Sequence, residues 1–64
     1  MLLSIVVPTY NEKDNIIPFI KSVERVIREN WWDAEIVIVD DSSPDGTADI
    51  VRELREEFQN IELF

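Results

Sequence analysis

The chain is short and acidic: its 64 residues carry 14 aspartates and glutamates against six lysines and arginines, for a net charge of −8. This excess of negative charge excludes a broad surface for DNA or RNA, so we expect no nucleic-acid partner. Because the chain has no cysteine and no histidine, disulfides, thiolate metal sites and histidine bases are excluded as well.

The first predicted element is a strand over residues 2–8. These residues are apolar or β-branched nearly throughout, a pattern typical of a strand buried on both faces of a sheet. Pro8 is expected to end the strand, because proline has no backbone N–H to donate to a neighbouring strand.

An amphipathic helix is predicted next, with Asp14 or Asn15 as its cap and an end near residue 29 or 30. Pro18 is compatible with this helix because it falls in the first turn. The buried stripe is predicted from apolar residues at helical spacing: Ile16, Ile20, Val23 and Ile27. Glu24 and Arg28 lie off this stripe and are expected to form an i,i+4 ion pair.

A return loop and a second strand follow the helix. Residues 31–34 form the loop, in which we expect a tryptophan ring to pack over the helix end. Residues 36–39 form a second buried strand, directly followed by Asp40 and Asp41. Since side chains alternate along a strand, these two carboxylates are expected to diverge rather than share a proton.

A turn, a second helix and a third strand complete the predicted elements. In the turn, Pro44 presets φ, Gly46 permits a positive φ, and Asp45 or a serine can cap the helix. The second helix has its own apolar stripe: Ala48, Val51, Leu54 and Phe58. Residues 60–64 are interpreted as a third strand, so the sequence predicts an α/β fold with a parallel sheet and the order β-α-β-α-β.

Polar side chains follow each of the first two strands. In a parallel α/β sheet, ligands bind at the carboxyl ends of the strands, so residues 10–12 and 40–41 are expected at one rim. A dinucleotide-binding loop is excluded because it needs three glycines and the chain has one. Carboxylates beside an aromatic ring suit a nucleoside instead. The plainer alternative is that Asp40, Asp41 and Asp45 are solvated loop and capping residues.

Two segments at this rim carry a family resemblance: residues 7–12, Val-Pro-Thr-Tyr-Asn-Glu, and residues 38–47, Ile-Val-Asp-Asp-Ser-Ser-Pro-Asp-Gly-Thr. In this order and spacing they resemble the opening of inverting family 2 glycosyltransferases, especially the polyprenol-phosphate (dolichol-phosphate) mannosyl- and glucosyltransferases. The resemblance implies a three-layer parallel sheet fragment, the first half of a GT-A (Rossmann-like) nucleotide-sugar-binding domain. Residues 1–64 would then be a partial domain, truncated within or just after the third strand.

The resemblance also implies which residues bind the nucleoside of a GDP- or UDP-hexose donor: Pro8, Thr9, Tyr10, Asn11, Glu12, Val39, Asp40 and Asp41. Within this set, Pro8, Tyr10 and Glu12 would line the pocket for base and ribose. Asp41 is favoured over Asp40 for the contact with the base. The remaining residues would shape the loop or supply backbone and packing contacts.

By the same resemblance, the parent enzyme transfers mannose or glucose to a lipid phosphate, with Mg²⁺ or Mn²⁺ neutralising the leaving diphosphate. The metal-binding Asp-x-Asp and the catalytic base of the family lie beyond these residues, so we expect the fragment to bind no metal and to be inactive alone. A short chain with no spanning segment is expected in the cytoplasm, with the parent enzyme at the cytoplasmic face of the membrane. Open sheet edges would leave the fragment able to self-associate.

Three other interpretations remain open. In a phospho-receiver domain, paired carboxylates after a strand hold Mg²⁺, but that pair follows the first strand rather than the second. Residues 45–47, Asp-Gly-Thr, are similar to the haloacid-dehalogenase phosphatase pattern, but Ser43 stands where that pattern has its nucleophilic aspartate. A non-catalytic interaction module would instead dock its exposed sheet face and tryptophan pair on a partner.

Overall fold

Three strands and two helices alternate along the chain. The computed structural model describes residues 2–64, and Met1, the first residue of the predicted domain, lies outside them. The elements are β1 (Leu3–Thr9), α1 (Ile16–Glu29), β2 (Ala34–Asp40), α2 (Thr47–Glu57) and β3 (Ile61–Leu63). The predicted α/β class and the order β-α-β-α-β are confirmed, with β2 two residues longer at its start than expected.

The three strands form one parallel sheet in the order β1-β2-β3. Along β1 and β2, Pro8 pairs with Val39 and Thr9 pairs with Asp40. The two strands therefore end side by side, and the loops that follow them begin at the same rim of the sheet.

β1 continues through Pro8 to Thr9, so the prediction that Pro8 ends the strand is wrong. The amide of Leu3 and the carbonyl of Thr9 both bond toward β2. Because alternate residues of a strand direct their backbone groups to opposite sides, the nitrogen of Pro8 faces the edge of the described sheet. A proline is tolerated there because no ladder hydrogen bond is lost.

Both helices pack on the same face of the sheet. Right-handed crossovers between strands in the order β1-β2-β3 place both connecting helices on one side. Their buried residues form one core with the strands: Ile16, Ile20, Ile27, Ala34, Ile36, Ile38, Val51, Leu54 and Ile61. On the other face Val6 is 62% exposed. The expectation of strands buried on both faces is thus wrong within residues 2–64, which supply two of the three predicted layers.

α1 follows its predicted stripe but gains one buried acidic residue. Glu24 is 8% exposed, and its Oε1 accepts a hydrogen bond of 2.7 Å from the side-chain amide of Asn60. The predicted pair of Glu24 with Arg28 is therefore wrong, because the Glu24 carboxylate is turned to Asn60 in the turn before β3. The ion pair on this helix is Arg25 with Glu29, at 2.9 Å.

The bounds of α1 agree with the prediction, but the expected side-chain contacts at its two ends are not all made. Asn15 occupies the N-cap position without a side-chain cap bond, and the amide of Ile16 donates to the carbonyl of Glu12 at 2.8 Å. At the other end, the amide of Trp32 donates to the carbonyl of Ile27 at 3.1 Å, as in a Schellman turn. Trp31 has a φ of 57° there and is 93% exposed, so its ring does not pack over the helix end, whereas Trp32 is 45% exposed. Neither helix within residues 2–64 has the length and apolarity needed to cross a bilayer.

Candidate functional site

Two loops meet at the carboxyl end of the sheet: the first loop, residues 10–15 after β1, and the second loop, residues 41–46 after β2. The amide of Asp41 donates to the carbonyl of Thr9 at 3.0 Å. That carbonyl belongs to the peptide bond leading into Tyr10. This hydrogen bond therefore joins the backbones of the two loops directly at the point where each loop begins.

Three consecutive backbone amides of the first loop donate to side chains of the chain segment after β2. The pairs are Asn11 to Ser43 Oγ at 2.9 Å, Glu12 to Thr47 Oγ1 at 3.0 Å, and Lys13 to Asp45 Oδ2 at 3.1 Å. The path of the first loop is thus set by side chains that lie more than 30 residues further along the chain.

The carboxylate of Asp40 accepts three hydrogen bonds from within the chain. Its Oδ1 accepts the hydroxyls of Ser43 at 2.6 Å and Thr9 at 2.8 Å, and its Oδ2 accepts the amide of Ser43 at 3.0 Å. The bond from the Ser43 hydroxyl is the main cause that lowers the pKa of Asp40 below its usual value. With these three bonds, Asp40 ties β1 to the second loop and has little capacity left for a ligand.

Asp45 has the same kind of role at the start of α2. Its Oδ1 accepts both the hydroxyl of Thr47 at 2.5 Å and the amide of Thr47 at 3.1 Å. The bond from the Thr47 hydroxyl is the main cause that lowers the pKa of Asp45. Gly46 adopts a φ of 90°, as the predicted turn requires, and it occupies the N-cap position of α2 without a side-chain cap bond. Asp45, a candidate cap from the sequence, lies one position earlier and accepts from the amide of Thr47.

The residues expected to touch the donor remain open to solvent. Tyr10 is 55% exposed, Asp41 is exposed and Glu12 is partly exposed. Thr9, by contrast, is buried and bonded to Asp40. The carboxylates of Asp40 and Asp41 thus have different surroundings, and only the second is free at the surface.

Pro8 and Val39 lie next to each other on the face without helices. They are register partners in neighbouring strands, and both are exposed. Because they precede the last residues of β1 and β2, they form a small apolar surface directly beneath the two loops. Asn11, in the first loop, is exposed and has a φ of 53°.

Two cavities each include part of the predicted set, and neither is lined by Tyr10, Asn11, Val39 or Asp41. One, of about 500 Å³, lies where β2 and β3 end beside α2 and includes Asp40 and Ser43. The other, of about 200 Å³, lies between β1 and α1 and includes Pro8, Thr9, Glu12 and Phe19. Sequence reasoning missed Phe19, which is 43% exposed; an apolar residue off the buried stripe of an amphipathic helix was the available signal.

The carboxylates of this rim do not form a metal site. Within residues 2–64, no group of three or more potential ligands is placed to hold a metal ion. Asp40 and Asp45 already accept hydrogen bonds on both oxygens. The described residues therefore do not fit Mg²⁺ or Mn²⁺, and the arrangement also disfavours a receiver domain, in which such carboxylates hold Mg²⁺.

Sequence reasoning also missed the part that Ser43 and Thr47 play in holding the first loop. Ser43 lies in the second loop and Thr47 is the first residue of α2, and residues of these types at such positions suggest only turn or capping roles. The signal present was a pair of hydroxyl residues on either side of Asp45 at a sheet rim. Their partners could not be read from the sequence, since the amides of Asn11 and Glu12 are distant along the chain.

Comparison with known proteins gives the family of the chain. The model of the family described as glycosyl transferase family 2 matches residues 4–64. The chain belongs to this family, and the resemblance noted in the sequence is confirmed. Membership displaces the receiver and phosphatase interpretations. No solved structure matches the chain.

Three curated relatives are similar over most of the chain. An undecaprenyl-phosphate 4-deoxy-4-formamido-L-arabinose transferase of Pseudomonas fluorescens is 39% identical over 80% of the chain, and a dolichol-phosphate mannosyltransferase of Pyrococcus furiosus is 34% identical over 91%. A GalNAc(5)-diNAcBac-PP-undecaprenol beta-1,3-glucosyltransferase of Campylobacter jejuni is 34% identical over 97%. The matched regions span 15%, 16% and 19% of these relatives.

Proposed function

We propose that the chain is the donor-nucleoside-binding part of an inverting glycosyltransferase that moves mannose or glucose from a nucleotide-sugar to a polyprenol phosphate. One observation carries this proposal: the parallel strand ends bring Tyr10, Glu12 and Asp41 to one rim, where the bond from Asp41 to Thr9 joins the two loops. Residues 1–64 would be the first part of a GT-A domain.

Each exposed residue at the rim has a chemistry that suits a nucleoside. The ring of Tyr10 offers an apolar face for the base, and the free carboxylate of Asp41 can accept hydrogen bonds from base N–H groups. Glu12 can accept from ribose hydroxyls. Pro8 and Val39 would supply packing contacts beneath the base, while Thr9, Asn11 and Asp40 shape the loop.

The relatives support the proposed acceptor class. Two of them are named for undecaprenyl phosphate and dolichol phosphate, and the third for an undecaprenol-linked glycan. A lipid acceptor would place the parent enzyme at the cytoplasmic face of a membrane. The chain carries a net charge of −8, which opposes binding of a GDP- or UDP-hexose unless a cation offsets it. Mg²⁺ or Mn²⁺ would supply that offset in the parent enzyme, held by residues other than those described.

A titration of the chain with GDP, UDP and GMP in the presence of Mg²⁺, followed by ligand-observed NMR or calorimetry, tests the proposal. We expect weak binding by the wild-type chain, with GMP retaining most of it because the nucleoside is the recognised part. The comparison of GDP with UDP reveals the base preference. Two chain concentrations are needed, because the helix-free sheet face favours self-association.

The matched variants are a Tyr10→Ala, Asp41→Ala double substitution and, as the control, Glu56→Gln. Glu56 is exposed on α2 away from the rim, so its substitution should leave binding unchanged. The double substitution should remove detectable binding. Undiminished binding by the double variant would overturn the site assignment.

A further inference from the structure

We propose that the hydroxyl groups of Ser43 and Thr47 are positioning groups, which set the first loop in the conformation that binds the nucleoside without contacting it. This inference rests on the proposed function and deepens it. Its starting point is the row of amides at Asn11 and Glu12, which bond to these two hydroxyls instead of to backbone carbonyls.

The direction of each hydrogen bond follows from chemistry alone. A backbone amide can only donate and a carboxylate can only accept, so a hydroxyl between them must donate to the carboxylate and accept from the amide. Thr47 Oγ1 donates to Asp45 Oδ1 at 2.5 Å and accepts from the amide of Glu12 at 3.0 Å. The carboxylate therefore turns a lone pair of the hydroxyl toward the loop.

We call this arrangement, in which a carboxylate orients a hydroxyl that accepts from a loop amide, a relay. A second relay lies beside the first. Ser43 Oγ donates to Asp40 Oδ1 at 2.6 Å and accepts from the amide of Asn11 at 2.9 Å. Two adjacent peptide groups of the first loop are thus held by two hydroxyls, each oriented by its own carboxylate. This explains why Asp40 and Asp45 are acidic although neither is free to bind a ligand.

Burial makes the Thr47 relay the stronger of the two. Thr47 is 0% exposed, so water cannot replace its hydroxyl as the acceptor for the amide of Glu12. Ser43 is only partly buried, and water can reach its site more easily. We therefore expect the position of Glu12 to depend most on the hydroxyl of Thr47.

The held peptides lie between the residues that would contact the nucleoside. The amide of Asn11, which Ser43 binds, directly follows Tyr10. The amide that Thr47 binds is that of Glu12 itself. Asn11 has a φ of 53°, a conformation that non-glycine residues adopt at a cost and keep only where surrounding contacts impose it. Loss of a relay would let this turn relax and move Tyr10 and Glu12 apart.

The test compares Thr47→Val, which replaces the hydroxyl by a methyl group of similar size, with Thr47→Ser, which restores a hydroxyl. Two readouts are taken on the full chain: hydrogen exchange of the Glu12 amide without ligand, and affinity for GDP or UDP with Mg²⁺. Ser22→Ala, which deletes an exposed hydroxyl in the middle of α1, is the control.

We expect Thr47→Val to speed exchange at Glu12 about tenfold and to weaken nucleotide binding about tenfold, because the part-buried amide of Glu12 loses the acceptor that Thr47 provides. Thr47→Ser should recover most of both losses, and Ser22→Ala should change neither. A general loss of stability would speed exchange throughout the core, including at Ile38 and Val51, and would not be rescued selectively at Glu12.

The outcomes separate this inference from the proposed function. If the wild-type chain binds no nucleotide, the proposed function fails, and the positioning of the loop is decided by exchange at Glu12 alone. If the wild-type chain binds and Thr47→Val binds equally well, the positioning inference is overturned while the proposed function stands. Unchanged exchange at Glu12 in Thr47→Val overturns the inference in either case.

Discussion

The two loops at the rim have opposite uses for their polar groups. The first loop donates its backbone amides to the rest of the molecule, whereas its side chains make few internal bonds: Tyr10 is exposed, and Glu12 is partly exposed and accepts one hydrogen bond of 3.5 Å from Asn15 Nδ2. The second loop uses the side chains of Ser43 and Asp45 to make those bonds. Although both loops follow a parallel strand and precede a helix, the first makes its internal bonds mainly through its backbone and the second mainly through its side chains.

This difference shows that an acidic residue at the end of a strand is not evidence of ligand binding by itself. Asp40 and Asp41 are neighbours in sequence, yet Asp40 accepts three internal hydrogen bonds whereas Asp41 is exposed. The number of internal bonds already made by each carboxylate separates a supporting residue from a candidate ligand.

The largest expected effect is on stability, and it separates these two aspartates. Asp40→Ala should lower the free energy of unfolding by about 2 kcal/mol, because the buried hydroxyl of Thr9 and the amide of Ser43 lose their acceptor. Asp41→Ala should change it by less than about 0.5 kcal/mol, as for other exposed positions. Urea unfolding followed by circular dichroism measures both. Equal destabilisation by the two substitutions would contradict the division between the loops.

Element types were predictable from the sequence because periodicity reports which side of an element is buried. The stripe through Ile16, Ile20 and Ile27 and the alternation around Ile36 and Ile38 depend on neighbours a few residues away. What the sequence concealed depends on distant pairings. The burial of Glu24 requires Asn60, which lies 36 residues further along the chain.

The candidate site was predictable in outline for a different reason. Parallel strands end at one rim, so the segments after β1 and β2 could be placed together without coordinates. The separate surroundings of Asp40 and Asp41 followed from strand alternation. The hydrogen bonds that Ser43 and Thr47 accept could not be predicted, because the amides that donate them belong to the first loop.

A smaller effect is expected from acid. Asp40 and Asp45 both have a lowered pKa in the folded chain, so below the ordinary value of 3.8 the unfolded chain takes up protons first. Their contribution to stability is therefore complete above this value and is lost as the pH falls through the lowered pKa values. The loss is smaller than on deletion, because a protonated carboxyl group still offers an acceptor oxygen.

Unfolding free energies measured between pH 6 and pH 2 check this dependence. The Asp40→Asn, Asp45→Asn double variant should be less stable than the wild type at pH 6 and should show a flatter decline toward pH 2, because two groups no longer titrate. An equally steep decline in the double variant would assign the acid sensitivity to other carboxylates.

Effects smaller than that of Asp40→Ala are expected for the backbone of the two loops, which share one conformational feature. Asn11 and Ser42 each lie two residues beyond the end of a strand, and both have a φ of 53°. Asparagine adopts positive φ more readily than serine, so the second loop carries more strain at this position. Ser42→Gly should therefore raise the free energy of unfolding by about 0.5 kcal/mol, and Asn11→Gly should raise it less.

Gly46 tests the cost of a positive φ in the opposite direction, because here a glycine is replaced by a residue with a side chain. Its φ is 90°, and a Cβ added there would meet nothing within 4 Å, so Gly46→Ala should cost backbone strain alone, about 1 kcal/mol. Thermal unfolding of the three variants measures both directions. If Ser42→Gly destabilised the chain, the side chain of Ser42 would have to make a contact worth more than its strain. Ser42 would then be a further residue whose side chain stabilises the second loop. The contrast between a second loop held by side chains and a first loop held by backbone amides would remain.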